Sequence, residues 1–389
     1  MALQIALTAE PIPSHVSALD YVIRPALEQG HRVSLHGPLM FRRAALRRGV
    51  EFHRAGTSWT CDPVVQRTAS ALWAESGNAS FNRYVFGDLL PGRAGQKAAH
   101  LLANWTRRRP DLVVAECSDL GAHLAARVLG LPLVAADNGL GPVLLHLWDT
   151  DVAPALLPLY KQYEQDGLPV LPPLITPAPV PWFYGSTAHP LRAVRRTVAE
   201  HRAPAVPSPE DRSPSARPLV YVSLGTLTTA MPGLRGTVKA LYGDILAALQ
   251  DFDCETVVSA GALAERVRRS HPDARVVEHV GQPALLRRAG LFVTHGGRAS
   301  LLDAVQGATP VLALGILADQ PDNADAFARL GLGRALDVRA SRPEIADAVR
   351  AVLDAPRPRE AMTAARHELA RLPAVDLVEL WSSARSRTP

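Results

Sequence analysis

The chain has 389 residues, of which 47% are hydrophobic and 20% are charged, and its formal net charge is +5 at pH 7. This length suffices for two or three domains with substantial cores. The positive charge comes from dispersed arginines, which disfavours nucleic-acid binding, and three scattered cysteines exclude a disulfide framework and a zinc knuckle. We expect a cytoplasmic protein without membrane insertion, because no apolar run approaches the ~20 residues that cross a bilayer and the N-terminus lacks a signal peptide's basic region.

The first part of the chain alternates short apolar runs with amphipathic runs. Strands are predicted near 4–8, 31–36, 50–53, 111–115 and 133–136, and helices near 15–29, 39–48, 95–108 and 120–129. The stretch between the third strand and the third helix is polar and is predicted to be irregular. Such alternation predicts a parallel, doubly wound sheet.

Two proline-rich stretches, 169–190 and 203–218, interrupt this pattern. We interpret the second as an interdomain linker and part of the first as its approach. Strands are predicted again near 219–224, 255–259, 276–279, 291–294 and 310–314, and the final third is predicted to be mainly helical. The predicted fold class is therefore α/β, with two Rossmann-like doubly wound domains, 1–202 and 219–372, facing each other across a cleft.

A strand–turn–helix junction in the second domain has the features of a phosphate site. The apolar run 291–294 leads into His295, Gly296 and Gly297, and helical spacing follows. The first N–H groups of a helix have no internal partners, and glycines let a phosphate approach them. Ser300 adds a hydroxyl donor, and Asp303 lies on the same helix face. The alternative is an ordinary turn in which the glycines only ease the bend.

Common nucleotide and hydrolase motifs are missing from the chain. Neither domain carries GxGxxG after its first strand, and GxxxxGK[ST] and GxSxG are absent. By contrast, residues 279–327, with HVGQPALLRRAGLFVTHGGRASLLDAV and ADQPDNADAF, resemble the donor-binding signature of inverting, nucleotide-sugar-dependent glycosyltransferases of the GT-B fold. The resemblance is to the bacterial enzymes that glycosylate macrolide, aromatic polyketide and enediyne natural products. It extends collinearly through SHVSALDYVI, PDLVVAE and VYVSLGT.

This resemblance implies donor-binding roles for Thr226, His279, Gln282, His295, Gly296, Gly297, Ser300, Asp303, Asp319 and Gln320. His295 and the helix start are assigned to the diphosphate, and Thr226 caps the phosphate side. Asp303 stands where the family usually has a glutamate that bridges the ribose hydroxyls, so its reach is shorter.

Four of these residues concern the base and the sugar. Asp319 and Gln320 match the pair that hydrogen-bonds the sugar hydroxyls, and Gln282 falls at the base-contacting glutamine or its neighbour. His279 stands where many relatives have a tryptophan that stacks on the base. Because an imidazole stacks with less area, the preference between TDP and UDP stays open.

By the same resemblance, His15 is the general base. Inverting transfer needs a base for the acceptor hydroxyl proton, and imidazole titrates near neutrality. The alternative is a solvent-exposed histidine at a helix start. Glu116 is the preferred carboxylate to orient the imidazole, and Asp119 is its competitor. If the acceptor reacted through carbon or nitrogen instead of a hydroxyl oxygen, the pair of His15 and its carboxylate would matter less for the reaction.

The expected activity is metal-independent transfer of a deoxysugar or aminosugar from a TDP- or UDP-sugar to a hydroxyl of an apolar secondary-metabolite aglycone, with no further cofactor. Aromatic residues in 57–90 and 140–163 either line the acceptor pocket or belong to the core. The helix in 373–389 is expected to pack back on the N-terminal domain, and a homodimer or a helper protein stays open. The alternatives are a sugar-nucleotide epimerase of the same fold and a non-catalytic glycosyltransferase-like partner.

Overall fold

The computed structural model describes residues 1–196, 217–272 and 274–387, and the chain forms two compact units. Unit 1 comprises Met1–Val198 and Leu372–Pro389, and unit 2 comprises Ala199–Arg371. The predicted linker, 203–218, lies outside the described residues except for its last two. Each unit is built around a parallel sheet, which confirms the predicted α/β class.

Unit 1 contains a seven-stranded sheet of order β3-β2-β1-β4-β5-β6-β7. Its strands are β1 Gln4–Thr8, β2 Arg32–Gly37, β3 Glu51–Arg54, β4 Leu112–Glu116, β5 Leu133–Ala136, β6 Leu174–Thr176 and β7 Leu191–Ala193. Its first nine α-helices are α1 Pro13–Ala18, α2 Asp20–Glu28, α3 Arg42–Arg48, α4 Pro63–Arg83, α5 Leu90–Arg107, α6 Leu120–Val128, α7 Gly141–Leu147, α8 Ala153–Gln162 and α9 Val180–Phe183. A π-helical segment joins α4 to α5.

Unit 2 contains a six-stranded sheet of order β10-β9-β8-β11-β12-β13. Its strands are β8 Leu219–Ser223, β9 Glu255–Ser259, β10 Arg275–Val277, β11 Leu291–Thr294, β12 Val311–Gly315 and β13 Gly333–Asp337. Its α-helices are α10 Thr226–Ala230, α11 Arg235–Leu249, α12 Ala264–Ser270, α13 Gln282–Leu286, α14 Arg298–Gly307, α15 Gln320–Arg329, α16 Arg342–Leu353 and α17 Arg357–Arg371. The last helix, α18 Leu377–Arg385, returns to unit 1.

The structure corrects several elements predicted from sequence. The predicted helix 15–29 is two helices, α1 and α2, which break at Leu19. The region predicted to be irregular contains α4, whose apolar residues do not form the stripe by which helices are recognised. Strand β6 lies in the stretch interpreted as the approach to a linker, and β7 directly follows that stretch. Strand β13 was missed because it is a short, half-exposed edge strand with charged residues at two of its five positions.

Both faces of the unit 1 sheet are covered. Leu112 and Val114 of β4 belong to one buried apolar cluster, while Val113 and Ala115 belong to another on the opposite face. Helix α18 packs against the first of these clusters, and the Gln29 amide donates to the Val375 carbonyl at 2.7 Å. In the described part of the chain, no helix is long and apolar enough to span a membrane.

Candidate functional site

In unit 2, the turn after β11 leaves the start of α14 uncapped. Gly296 has φ +80°, and a Cβ atom there would lie 2.8 Å from the Gln320 carbonyl oxygen, so this turn requires glycine. Gly297 is the N-cap residue and provides no side-chain cap; the first helical bond in the series runs from the Leu301 N–H to the Gly297 carbonyl, at 3.1 Å. The N–H groups of residues 299 and 300, in the first turn, have no such helical partner and can donate to an anion at the positive end of a ten-residue helix.

The His295 ring lies between two glycines that are far apart in the sequence, Gly225 and Gly297. A Cβ atom would be 2.5 Å from His295 Nε2 on Gly225 and 2.6 Å from it on Gly297. Gly225, which the prediction omitted, has φ +85° and precedes Thr226, the exposed first residue of α10. The absence of both side chains thus creates the space that the imidazole fills.

His295 is neutral at pH 7. Although part of the residue is solvent-accessible, the surrounding protein atoms withdraw its ring from bulk water and lower its pKa to about 4. A hydrogen bond with the Ser223 backbone opposes this shift without cancelling it. A neutral ring beside an uncapped helix start adds no positive charge until an anion raises its pKa.

A hydrogen-bonded chain joins three of the candidate residues. Gln282 Nε2 donates to Asp303 Oδ2 at 2.8 Å and lies 3.4 Å from Ser300 Oγ, while the Tyr221 hydroxyl donates to Gln282 Oε1 at 3.2 Å. Asp303 is 9% exposed and Gln282 is half-buried. The amide assigned to the base therefore orients the carboxylate assigned to the ribose, and Tyr221, which the prediction omitted, orients the amide.

Asp319 and Gln320 lie at the start of α15, and their side chains point to different partners. Gln320 is 6% exposed, and its Oε1 accepts the backbone N–H groups of Ile316 and Leu317 at 3.2 and 3.1 Å. Its Nε2 is therefore the polar group left for a ligand. Asp319 Oδ2 accepts Asn323 Nδ2 at 2.5 Å.

Asn323 is a residue that sequence reasoning placed on a helix and gave no role. Its Nδ2 also lies 3.3 Å from the Gly296 carbonyl, and its Oδ1 accepts Arg298 Nε at 3.3 Å. Asn323 and Arg298 are both 2% exposed. This buried amide therefore joins the turn before α14 to the turn before α15. The recurrence of polar residues in ADQPDNADAF was the signal that could have identified it.

Thr226 and His279 are exposed to solvent. His279 follows β10 in the loop that leads to α13. Within the described residues, neither side chain hydrogen-bonds to another candidate residue. Both are accessible, but the structure does not join them to the cluster around His295 and Asp303.

In unit 1, His15 and Glu116 meet although 101 residues separate them. His15 is the third residue of α1, which begins at a proline after the extended Ile12, and Glu116 is the last residue of β4. His15 Nδ1 lies 3.1 Å from Glu116 Oε2. The His15 side chain is 13% exposed and that of Glu116 is 0% exposed, so one ring edge contacts a buried carboxylate while part of the ring remains accessible.

The Glu116 carboxylate is held as an anion by hydrogen bonds. Oε2 also accepts the Glu10 N–H at 3.2 Å, and Oε1 accepts the Ser118 N–H at 2.9 Å, the Ser118 hydroxyl at 2.6 Å and Asn138 Nδ2 at 3.0 Å. Burial by itself raises the pKa of Glu116, but the charge and hydrogen bond of His15, together with Ser118, lower it to about 2. Ser118 and Asn138 were not predicted from the sequence.

The competing carboxylate, Asp119, has a different role. Its Oδ1 accepts the Ala122 N–H at 3.2 Å and caps α6, and its Oδ2 lies 2.6 Å from Lys97 Nζ. Among the described residues, Glu116 is the one acidic residue in contact with His15. Glu116 is thus the carboxylate in contact with His15, whereas Asp119 contacts the start of α6 and a lysine.

Lys97 is the centre of a buried charge network beside this pair. Its Nζ donates to the Ala9 carbonyl at 2.7 Å and to Glu10 Oε1 at 3.1 Å, and Glu10 Oε2 accepts Trp59 Nε1 at 2.7 Å. Burial lowers the pKa of Lys97, yet Asp119 and Glu10 outweigh that effect and raise it above its usual value. The network ties α5 to the segment that leads from β1 to His15.

The aromatic residues predicted either to line an acceptor pocket or to belong to the core differ in burial. Phe86, Trp148 and Tyr160 are buried in the apolar cluster on the α5 face of the unit 1 sheet. Trp59 and Tyr84 are half-buried. In the described ranges there is no group of three His, Cys, Asp or Glu residues placed to hold a metal ion.

Residues 243–379 match the family of the erythromycin biosynthesis protein CIII-like C-terminal domain. A zeaxanthin glucosyltransferase from Pseudescherichia vulneris is 31% identical over 164 residues, which are 42% of this chain and 39% of that protein. A 10-deoxymethynolide desosaminyltransferase from Streptomyces venezuelae is 35% identical over 145 residues, 37% of this chain and 33% of that protein. The chain thus spans well under half the length of the curated relatives it matches.

Solved structures match over the whole length. The spinosyn rhamnosyltransferase SpnG superposes with a TM-score of 0.78 at 19% identity and covers 100% of both chains. SpnG has also been solved with thymidine diphosphate and with the spinosyn aglycone. These matches confirm the predicted fold, and the family match over residues 243–379 supports the resemblance predicted from the sequence.

Proposed function

We propose that this chain is an inverting glycosyltransferase. It has the GT-B fold, and its residues 243–379 match the erythromycin biosynthesis protein CIII-like C-terminal domain family. It transfers a deoxysugar or aminosugar from a TDP- or UDP-sugar to a hydroxyl of a natural-product aglycone. The observation that carries the proposal is the contact between His15 and the buried, ionised Glu116, in a chain whose other unit has an uncapped glycine turn at a helix start.

The proposed role of unit 1 is proton removal. Because the Glu116 carboxylate is ionised, it accepts a hydrogen from His15 Nδ1 and leaves the Nε2 lone pair free to act as base. As the acceptor oxygen forms its bond to the anomeric carbon, the hydroxyl proton passes to Nε2 and the bond to the diphosphate breaks on the opposite face. The negative charge of Glu116 stabilises the imidazolium that results.

The proposed role of unit 2 is to bind the donor and stabilise the leaving diphosphate. The N–H groups at the start of α14 donate to the phosphate oxygens, and the approaching anion raises the pKa of His295 so that this ring becomes a cationic donor. Asp303, oriented by Gln282, accepts a ribose hydroxyl. The SpnG structure with thymidine diphosphate supports a diphosphate ligand for this fold. These groups neutralise the diphosphate without a divalent cation, so we expect turnover to persist in excess EDTA.

The base assignment is tested by His15→Ala. We expect transfer to fall by ~10²–10⁴-fold, the usual contribution of a general base, while affinity for TDP or UDP stays unchanged. Rates would be measured with a panel of nucleotide sugars and aglycones, and affinities by calorimetry. His146→Ala, at an exposed helix position in the same unit, is the matched control. Full activity in His15→Ala would remove the base assignment.

The donor assignment is tested by Asp303→Ala. We expect weaker binding of the free nucleoside diphosphate, by roughly tenfold or more for a lost charge-assisted hydrogen bond, with Asp325→Ala on exposed α15 surface as control. Unchanged affinity would count against the ribose role. Incubation with donor alone separates the enzyme alternatives, since a sugar-nucleotide epimerase forms an isomer without an acceptor.

A further inference from the structure

In unit 1, a short turn after β3 holds the segment that leads from β1 to the proposed base. Trp59 and Thr60 are its first two residues. Trp59 Nε1 donates to Glu10 Oε2 at 2.7 Å, and the Thr60 hydroxyl donates to the Pro11 carbonyl at 2.9 Å. Both bonds join residues that are 49 positions apart. Two successive side chains of the turn therefore hold two successive residues of the segment.

The backbone of Glu10 connects this turn to the His15–Glu116 pair. The Glu10 N–H donates to Glu116 Oε2 at 3.2 Å, and the same oxygen lies 3.1 Å from His15 Nδ1. The Glu10 carbonyl accepts the Ile12 N–H at 2.6 Å, and the Ile12 carbonyl accepts the His15 N–H at 3.0 Å. Glu10 therefore contacts the carboxylate directly and reaches the base through one intervening residue.

The Glu10 carboxylate depends on Trp59 for one of its oxygens. Glu10 is 6% exposed, and its Oε1 accepts Lys97 Nζ at 3.1 Å. Lys97 lies closer to a second carboxylate, Asp119, at 2.6 Å. Within the described ranges, the indole N–H is the one donor to Oε2. Because an unmet buried carboxylate oxygen is costly, loss of this donor would move the Glu10 side chain, and its backbone N–H with it.

We propose that Trp59 and Thr60 are positioning residues for His15. Their hydrogen bonds fix the segment 9–12, so that Glu116 Oε2 and His15 Nδ1 stay in contact. The Trp59 ring also packs against the apolar cluster on the α5 face of the sheet, which limits its movement. This inference rests on the proposed function, in which His15 is the base. It makes the alignment of the base depend on the stretch 57–90, where acceptor-lining aromatic residues were predicted.

The test compares variants that remove one donor each. Trp59→Phe keeps an aromatic ring and loses the indole N–H, and Thr60→Val loses the hydroxyl with little change in volume. We expect kcat of Trp59→Phe to fall roughly tenfold or more, since a misplacement of ~1 Å costs up to ~10²-fold. KM for the donor should stay unchanged, because the groups proposed to bind the donor belong to unit 2. Thr60→Val should lower kcat in the same direction.

Two matched control variants carry the same substitutions outside the contact. Trp381→Phe alters a half-buried tryptophan of α18 in the same unit. Thr57→Val alters a hydroxyl just before the turn, which lies 3.5 Å from Gln96 of α5 and does not contact the segment 9–12. Both controls should keep kcat, and the urea midpoints of all four variants would show whether each remains folded.

The His15 ring gives a readout that needs no turnover. Nitrogen NMR of the full chain separates a ring with its hydrogen on Nδ1 from one with it on Nε2. The chain has 13 histidines, and His15→Gln identifies the His15 signals by their loss. We expect Trp59→Phe and Thr60→Val to shift these signals away from the Nδ1–H form, and the controls to leave them unchanged. If no donor and acceptor support turnover, the proposed function fails, whereas the inference is judged on the ring signals alone.

The double variant His15→Ala, Trp59→Phe separates positioning from general damage. A residue that acts through His15 has nothing to position once the ring is gone, so kcat should equal that of His15→Ala alone. A merely structural role would lower kcat by the same factor in both backgrounds. The proposal is overturned if Trp59→Phe and Thr60→Val both leave the His15 signals unchanged, if the loss lies in KM rather than kcat, or if the losses of the double variant multiply.

Discussion

Replacing Glu116 by glutamine tests whether the carboxylate acts through His15. The two carboxylate oxygens accept hydrogens from donors on both sides, including the Glu10 N–H at Oε2 and the Ser118 N–H at Oε1. In either orientation, the NH₂ group of a glutamine at this position would therefore face a backbone N–H, which is also a donor and whose direction is fixed by the backbone. One such unmet buried donor costs about 1–3 kcal/mol of stability. The orientation that spares Ser118 puts the NH₂ group against His15 Nδ1.

In that orientation His15 must accept at Nδ1 and carry its hydrogen on Nε2, where the free lone pair of a base is needed. We expect kcat to fall by ~10²–10⁴-fold with little change in KM for the donor, because the tautomer is wrong and the imidazolium loses its counter-charge. Initial rates across pH and the urea midpoint would be measured for the same preparation. The loss in kcat should far exceed what a stability change of a few kcal/mol produces in a protein that remains folded.

The double variant His15→Ala, Glu116→Gln separates positioning from general damage. If Glu116 acts through the imidazole, kcat of the double variant equals that of His15→Ala alone, since residues that act as a unit are not additive. A Glu116→Gln variant with unmodified kcat, or a double variant whose losses multiply, would refute the reasoning.

Three further predictions concern the surroundings of these sites. Gly225→Ala should lower the free energy of unfolding by about 1–3 kcal/mol and weaken TDP binding, because the backbone conformation at this position is nearly confined to glycine and the added Cβ would lie 2.5 Å from His295 Nε2. The control variant Gly236→Ala, at an exposed position of α11 with open space around it, should bind TDP normally. Lys97→Met should lower the free energy of unfolding by about 3–5 kcal/mol, since it leaves buried carboxylates unpaired; a urea midpoint that hardly moves would contradict this. Burial lowers the pKa of His123 to about 4 from an ordinary 6.5, so the neutral ring's contribution to stability is complete above pH 6.5 and is lost as pH falls toward 4, by at most ~1.4 kcal/mol per pH unit. In denaturation series from pH 7 to 4, the free energy of unfolding of His123→Leu should therefore decline less steeply than that of the unmodified chain, and an equal slope would argue against this.

Much of the fold could be predicted because its signals are local. Strands such as β4, with five buried residues in a row, and β11 are continuous apolar runs of the kind that parallel sheets require. The elements that were missed carry weaker local signals. Strands β6 and β7 have three residues each among prolines, and β13 is an edge strand with only one neighbour.

By itself, the sequence determined that two doubly wound α/β units exist and that a glycine turn leads onto a helix start, because strand length, glycine positions and helical spacing are properties of neighbouring residues. Only the tertiary structure decided that Glu116 rather than Asp119 contacts His15, that Lys97 binds Asp119, and that the His295 ring fills the space beside Gly225. The Lys97–Asp119 and His15–Glu116 contacts join residues that are 22 and 101 positions apart, and His295 lies 70 positions from Gly225. No local sequence pattern specifies contacts over such separations. The contact of His15 with Glu116 follows from the register of β1 with β4, which pairs Thr8 with Ala115, and the place of the His295 ring follows from that of β8 with β11, which pairs Ser223 with Thr294.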